Sequence, residues 1–118
     1  MSRPHKYKAV ATVVDGLRFA SKAEARRYSE LRMLERSGRI SDMKTQPAFP
    51  IVIEGRPVKI RSEGFPNGRA VKYLADFSYL DAGGAMVVED VKGMDTDVSR
   101  LKRALVEAIH GVRVTIIG

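Results

Sequence analysis

One stretch of the chain, Tyr73 to Gly93, carries the residues best suited to chemistry: YLADFSYLDAGGAMVVEDVKG. It gathers four acids and one lysine in a chain that is otherwise rich in cations. Side chains two positions apart in a strand share a face, so Asp90 and Lys92 are predicted to point the same way. The turn at Asp81–Gly84 folds the preceding strand back and brings Asp76 to the same end of the sheet. Two carboxylates and an ammonium group are therefore expected to meet where a strand ends.

This set of groups suits the hydrolysis of phosphodiester bonds with a divalent cation. Mg²⁺ takes oxygen ligands and keeps several waters, so two carboxylates can anchor it. The ion polarises a phosphoryl oxygen and lowers the pKa of water, while an ammonium group orients that water or neutralises developing charge. The structural alternative is a salt bridge between Asp90 and Lys92, with Asp76 as a strand-end residue. Acid-x-Lys is common by chance, so the position of Asp76 is what favours the chemical interpretation.

Glu24 is the fourth candidate. It ends the segment Ser21-Lys22-Ala23-Glu24, which matches the capping box that begins many helices. On that helix it shares a face with Tyr28 and Leu31, so it borders the stripe that should pack on the sheet. A carboxylate there could reach a metal ion held by the aspartates. Capping and metal binding both remain open for Glu24.

The charge of the chain indicates a polyanionic partner. There are 21 Lys and Arg against 14 Asp and Glu, a formal net charge of +7, and nucleic acid is the usual partner of such a domain. A bound metal ion would invert the local charge of the acidic cluster and remove its repulsion of DNA. We predict that Lys22, Arg26 and Arg27, on the exposed side of the first helix, contact DNA.

Composition excludes several other classes of protein. With no cysteine, the chain has no disulfide, thiolate zinc site or cysteine nucleophile. No apolar run is long enough to cross a membrane, and the basic start is followed by no signal-peptide core. We expect a single cytoplasmic domain over residues 1–118, with residues 1–6 disordered and no membrane partner.

The pattern of turns and apolar residues predicts an α/β fold with one mixed sheet, a central hairpin and flanking helices. The predicted elements are a hairpin at Asp15-Gly16, a helix from Ser21 to Gly38, a hairpin around Glu54-Gly55, a mobile loop over Ser62–Arg69, strands over Val71–Leu80 and Ala85–Val91, a helix from Asp95 to His110 with Val98, Leu101, Leu105 and Ile109 on its apolar face, and a final strand.

With these residues in this order, the chain resembles the PD-(D/E)XK nuclease superfamily. Its core is a helix, a mixed sheet whose central hairpin carries acid…acid-x-Lys, and a second helix. The segments KYKAVATVVDGLRFASKAEARRYSELRMLERSGRI, QPAFP, YLADFSY and VVEDVKG look like a small phage- and prophage-borne branch similar to Holliday-junction resolvase-like endonucleases. The similarity spans Lys6 to His110.

The resemblance assigns roles to the four candidates. Asp76 matches the first acid, although Ala75 replaces the proline of the signature; Asp90 matches the second acid, Lys92 the lysine, and Glu24 the acid on the helix. Three further residues are accessory candidates. Glu89 would take the role of Asp90 if a bulge shifted the register, although alternation favours Asp90. For Gln46 and Lys102 we favour structural interpretations, a strand-end amide and a snorkelling lysine.

The resemblance also implies a restriction-endonuclease-like core and an activity. We expect Mg²⁺- or Mn²⁺-dependent, structure-selective endonuclease activity on branched or duplex DNA in phage recombination or replication, inside a bacterial host. Paired cuts at a junction would need a homodimer. The competing hypothesis is a non-catalytic nucleic-acid-binding accessory protein that reuses the nuclease fold.

Overall fold

The computed structural model describes residues 10–91 and 93–118, which form an α/β fold of many short strands and two helices. The strands are β1 (Thr12–Val14), β2 (Leu17–Phe19), β3 (Ser41–Thr45), β4 (Ala48–Pro50), β5 (Val52–Ile53), β6 (Arg56–Pro57), β7 (Lys59–Ser62), β8 (Phe65–Ala70), β9 (Lys72–Leu74), β10 (Phe77–Leu80), β11 (Met86–Val91) and β12 (Val114–Ile117), and the helices are α1 (Lys22–Arg36) and α2 (Asp97–His110).

The central sheet is mixed, as the sequence predicts. Its strand order is β12-β11-β10-β3; β10 runs antiparallel to both of its neighbours, whereas β11 and β12 are parallel. A parallel pair needs a crossover, and α2 supplies it between β11 and β12. Four further pairs, β1-β2, β4-β9, β5-β6 and β7-β8, surround this sheet. The β10–β11 hairpin is therefore the centre of the fold.

Each helix is associated with its own hydrophobic core. The buried face of α1 contributes Ala25, Tyr28 and Leu31 to a cluster that contains Phe77 of β10. A second cluster joins Val106 of α2 to residues that include Val88 and Val114 of the sheet. Alternation along β11 explains the separation, since neighbouring side chains of a strand point to opposite faces. Burial of these two cores fixes the central hairpin between the helices.

Local signals for turns and caps are confirmed. Asp15 and Gly16 both have positive φ, 52° and 76°, as a type I′ hairpin requires. The Ser21 hydroxyl accepts a hydrogen bond from the Glu24 N–H at 3.1 Å and caps α1. Thr96 caps α2, and Gly111 ends it with a left-handed φ of 67°.

Three predictions about the elements are wrong. Val71–Leu80 is two strands, because the chain leaves the pairing of β9 with β4 at Ala75–Asp76 and joins β3 as β10. Ser62–Arg69 is not a loop but belongs to the hairpin of β7 and β8, in which Ser62 pairs with Phe65. The buried side of α2 is centred on Val106, while Val98 and Leu101 stay exposed.

Neither helix in the described part of the chain has the length and apolar character to cross a membrane.

Candidate active site

A break between two strands brings Asp76 and Asp90 together. The Asp76 N–H donates to the Asp90 side-chain oxygen Oδ1 at 2.9 Å, and the Val91 N–H donates to Asp76 Oδ2 at 2.7 Å. The Asp76 carbonyl accepts from the Gln46 N–H at 2.9 Å, so β3 holds the break from the other side. Each aspartate is thus fixed by the backbone of the segment that carries the other, Asp76 by β11 and Asp90 by the break, which pre-organises the pair.

The two aspartates line a cleft of about 330 Å³, here called the carboxylate cleft. Tyr73 and Leu74 of β9 form part of its wall, and Ser99 and Arg103 of α2 face them. Arg103 donates to Asp95 at 2.8 Å across the rim. Sequence reasoning placed Asp95 only at the start of the second helix and missed Arg103, although both lie near the beginning of the helix that follows the acids. The cleft is therefore mainly anionic, with one paired cation.

Burial raises the pKa of both aspartates above its ordinary value. For Asp76 the bond from the Val91 N–H partly opposes this rise. For Asp90 the bond from the Asp76 N–H and the charge of Arg103 oppose it, while Asp95 adds to it. Burial disfavours the charged form of a carboxyl group, and a cation close by would relieve that penalty. A cation bound beside the pair would therefore lower both pKa values.

Glu24 lies in the first turn of α1, where the charges of both aspartates affect its pKa. Burial raises its pKa most, the charge of Asp76 raises it further and Asp90 adds a smaller effect, against a backbone hydrogen bond at Ala20. The carboxylate therefore lies within electrostatic reach of both. Among the described residues, however, no group of three or more His, Cys, Asp or Glu has metal-binding spacing. Glu24 is thus a neighbour of the aspartate pair in this geometry.

Lys92 lies outside the described residues, so its predicted role stays a prediction. Gln46 is exposed and has a positive φ of 50° between β3 and β4, where its main chain supports Asp76. Lys102 is half-buried and lines a different groove beside the carboxylate cleft. Neither residue is among the described residues that line the carboxylate cleft.

Glu89 lies in a separate buried cluster. Its side chain is 2% exposed and accepts two hydrogen bonds from Arg27, at 2.8 and 2.7 Å, and one from Tyr79. The alternation of β11 thus sends Glu89 toward α1, as expected, and Asp90 to the carboxylate cleft. This regular register gives Glu89 a structural partner instead of the role of Asp90.

The placement of Arg27 corrects a prediction from the sequence. We expected it on the exposed side of α1 with Lys22 and Arg26; these two are exposed, but Arg27 is 21% exposed and holds Glu89. The hydrogen bond to Glu89 raises the pKa of Arg27, so its guanidinium stays charged. Helical spacing turns neighbouring residues to different sides, and the acid on β11 explains why a cation points inward.

Comparison with known proteins gives a family. No curated protein and no solved structure shows detectable similarity to the chain. A family model matches residues 4–117, which is nearly the whole sequence and includes both aspartates of the carboxylate cleft. The chain therefore belongs to the family described as "Protein of unknown function (DUF1064)".

Proposed function

We propose that this protein is a metal-dependent DNA endonuclease that hydrolyses phosphodiester bonds. The pairing of Asp76 with Asp90 at the end of the central hairpin carries the proposal. A helix, a mixed sheet with acids on its central hairpin and a second helix are the order that the PD-(D/E)XK resemblance implies. The proposal includes a restriction-endonuclease-like core and a resolvase-like preference for branched DNA.

The aspartate pair has the donor groups that a hard cation needs. One oxygen of each carboxylate is bonded to the backbone, and no donor among the described residues contacts Asp76 Oδ1 or Asp90 Oδ2. These two oxygens would hold Mg²⁺ or Mn²⁺, and Glu24 could contact the ion through a water. When bound, the ion supplies Lewis-acid polarisation of the phosphate and lowers the pKa of water.

The remaining residues would bind and place the substrate. Lys22 and Arg26 are exposed near the start of α1, close in sequence to Glu24, and they can contact DNA phosphates. The excess of cations over the whole chain would attract DNA to the anionic cleft. Lys92 would orient the nucleophile or neutralise charge, as the resemblance implies. Paired cuts in a junction would require two such sites and thus a homodimer.

One observation favours a second candidate, a nucleic-acid-binding accessory protein without chemistry. Asp76 and Asp90 form only a pair in the described residues, since Glu24 does not complete a group with metal-binding spacing. A reused fold would retain the basic surface and could retain the aspartates for their backbone hydrogen bonds. This candidate predicts DNA binding that is unaffected by divalent ions.

Cleavage assays discriminate between the two candidates. A labelled four-way junction, a matched duplex and a flap are incubated with Mg²⁺, Mn²⁺ or EDTA, using the wild type, Asp90→Asn and the control Asp97→Asn. Asp97 is suitable because its side chain is 97% exposed on the first turn of α2. The nuclease proposal expects metal-dependent nicks that only Asp90→Asn removes. Binding without cleavage in every condition would favour the accessory protein.

A further inference from the structure

The β7–β8 hairpin presents one amphipathic face. The cross-strand pairs Ile60–Arg69 and Ser62–Phe65 share that face, because opposed residues of a hairpin point to the same side. Gly68 fixes the close approach of the two strands: its φ is +93°, and a Cβ there would lie 2.7 Å from the Cβ of Lys59. The hairpin is therefore a defined structural element with an apolar and cationic surface.

A groove of about 620 Å³ separates this face from α2 and is here called the basic groove. Its volume falls in the range of about 300–1,000 Å³ that is typical of ligand sites. Arg69, Lys72 and Lys102 line it, and none of the described residues that line it is acidic. These three cations form no ion pair with any described residue. The groove thus has the charge to bind an anion.

The apolar residues of the groove indicate that the anion carries a flat, apolar group. Phe65 is 47% exposed, Ile60 is 60% exposed and Leu74 is 54% exposed. The Arg69 guanidinium lies 5.2 Å from the centre of the Phe65 ring, which orients both groups. Exposed aromatic rings between cations bind single-stranded nucleic acid, whose unstacked bases can cover the ring while the cations contact phosphates.

The basic groove adjoins the carboxylate cleft. Tyr73, Leu74 and Ser99 line both sites, so a strand bound in the basic groove would continue to the aspartates. If the β7–β8 hairpin instead entered the major groove of a duplex, its turn would contact the DNA, and that turn carries the acid Glu63. Arg69 and Lys72 of the strands lie across the basic groove from Lys102 of α2, and cations on both sides of a groove favour an unpaired strand.

We propose that the basic groove binds unpaired nucleotides of a DNA strand, next to the point where the carboxylate cleft would cut. This inference rests on the proposed function for its position relative to cleavage. Strand binding itself requires neither a metal ion nor hydrolysis. The site would select substrates in which a few nucleotides beside the cleaved bond are unstacked, such as branch points and flaps.

Fluorescence anisotropy in EDTA tests this binding separately from catalysis. A labelled oligothymidine of about ten nucleotides is compared with a duplex of equal length, using wild type, Phe65→Ala and the control Met86→Ala. Met86 is matched in exposure, at 49%, and lies outside both clefts. Phe65→Ala should weaken single-strand binding about 5- to 150-fold and duplex binding much less. Thermal melting confirms that each variant is folded.

Salt dependence provides a second readout of the same site. Lys102→Ala should lower the slope of log K against log salt for the single strand by about 0.7, whereas Arg39→Ala, an exposed cation away from the groove, should not change it. Equal effects of Phe65→Ala on both forms of DNA, tighter binding of duplex, or binding of poly-glutamate as strong as that of oligothymidine would each overturn the inference. In those cases metal-dependent cleavage could still be observed, and the proposed nuclease function would stand. Selective binding of single strands without any cleavage would instead support the basic groove and reject the nuclease.

Discussion

The ion pair between Arg27 and Glu89 leads to a strong prediction about stability. The Glu89 side chain is 2% exposed, and Arg27→Ala would leave its carboxylate bonded only to Tyr79. Removing one partner of a buried ion pair typically destabilises a protein by about 3–5 kcal/mol, since the remaining charge is uncompensated. For a domain of this size, that corresponds to a decrease in melting temperature on the order of 10–25 °C. A loss of about 3–5 kcal/mol is a large part of the typical free energy of unfolding, which is about 5–15 kcal/mol.

Urea unfolding of the wild type and three variants measures the effect. Arg26→Ala is the matched control, because Arg26 is the exposed neighbour on α1 and its loss should change the free energy of unfolding by less than about 0.5 kcal/mol. The double variant Arg27→Ala, Glu89→Gln should be more stable than Arg27→Ala alone, since glutamine removes the unpaired charge. Equal and small effects of Arg26→Ala and Arg27→Ala would show that Arg27 is a free surface cation and that its ion pair with Glu89 does not stabilise the fold.

Three further predictions concern single residues. Asp76→Asn should raise the free energy of unfolding at pH 7 without metal, because burial raises the pKa of Asp76 and the stabilising contribution of its protonated form is lost as pH rises through that pKa; calorimetry showing a loss of stability would contradict this. Burial, followed by the hydrogen bond to Glu89, raises the pKa of Tyr79 to about 12, so its stabilising neutral form persists above pH 10 and is lost as pH rises through about 12; absorbance titration of wild type against Tyr79→Phe checks this, and an ordinary tyrosine titration would count against the cluster. Arg26→Ala should weaken duplex binding and reduce the salt slope by about 0.9, and an unchanged slope would place DNA elsewhere.

Much of the fold is local in origin and could be predicted. The hairpin at Asp15-Gly16 and the caps at Ser21 and Gly111 follow from backbone preferences of a few residues. Strand β3 was missed because Ser41–Thr45 contains only one large apolar residue, Met43, and pairing with β10 determines its conformation. Neighbours distant in sequence decided the elements that local patterns could not.

The candidate site shows the same division. Alternation along β11 predicted that Asp90 and Glu89 face opposite ways. It could not show that Arg27 turns inward, because that depends on an acid 62 positions away. The break at Asp76 was also unpredictable from its apolar surroundings, since it arises where the chain changes pairing from β4 to β3. The types of the site residues were readable, and their tertiary partners were not.

Binding of a divalent ion by Asp76 and Asp90 is the property on which the proposed nuclease activity depends. Titration calorimetry with Mn²⁺ and Mg²⁺, without DNA, compares wild type with Asp76→Asn, Asp90→Asn and the exposed control Asp97→Asn. A metal site at the aspartate pair requires saturable binding by the wild type and Asp97→Asn, and its loss in both cleft variants, in which the amide oxygens can still accept the backbone hydrogen bonds. Equal binding by wild type and Asp90→Asn, or no saturable binding by any of the four proteins, would contradict the assignment of the aspartate pair as a metal site.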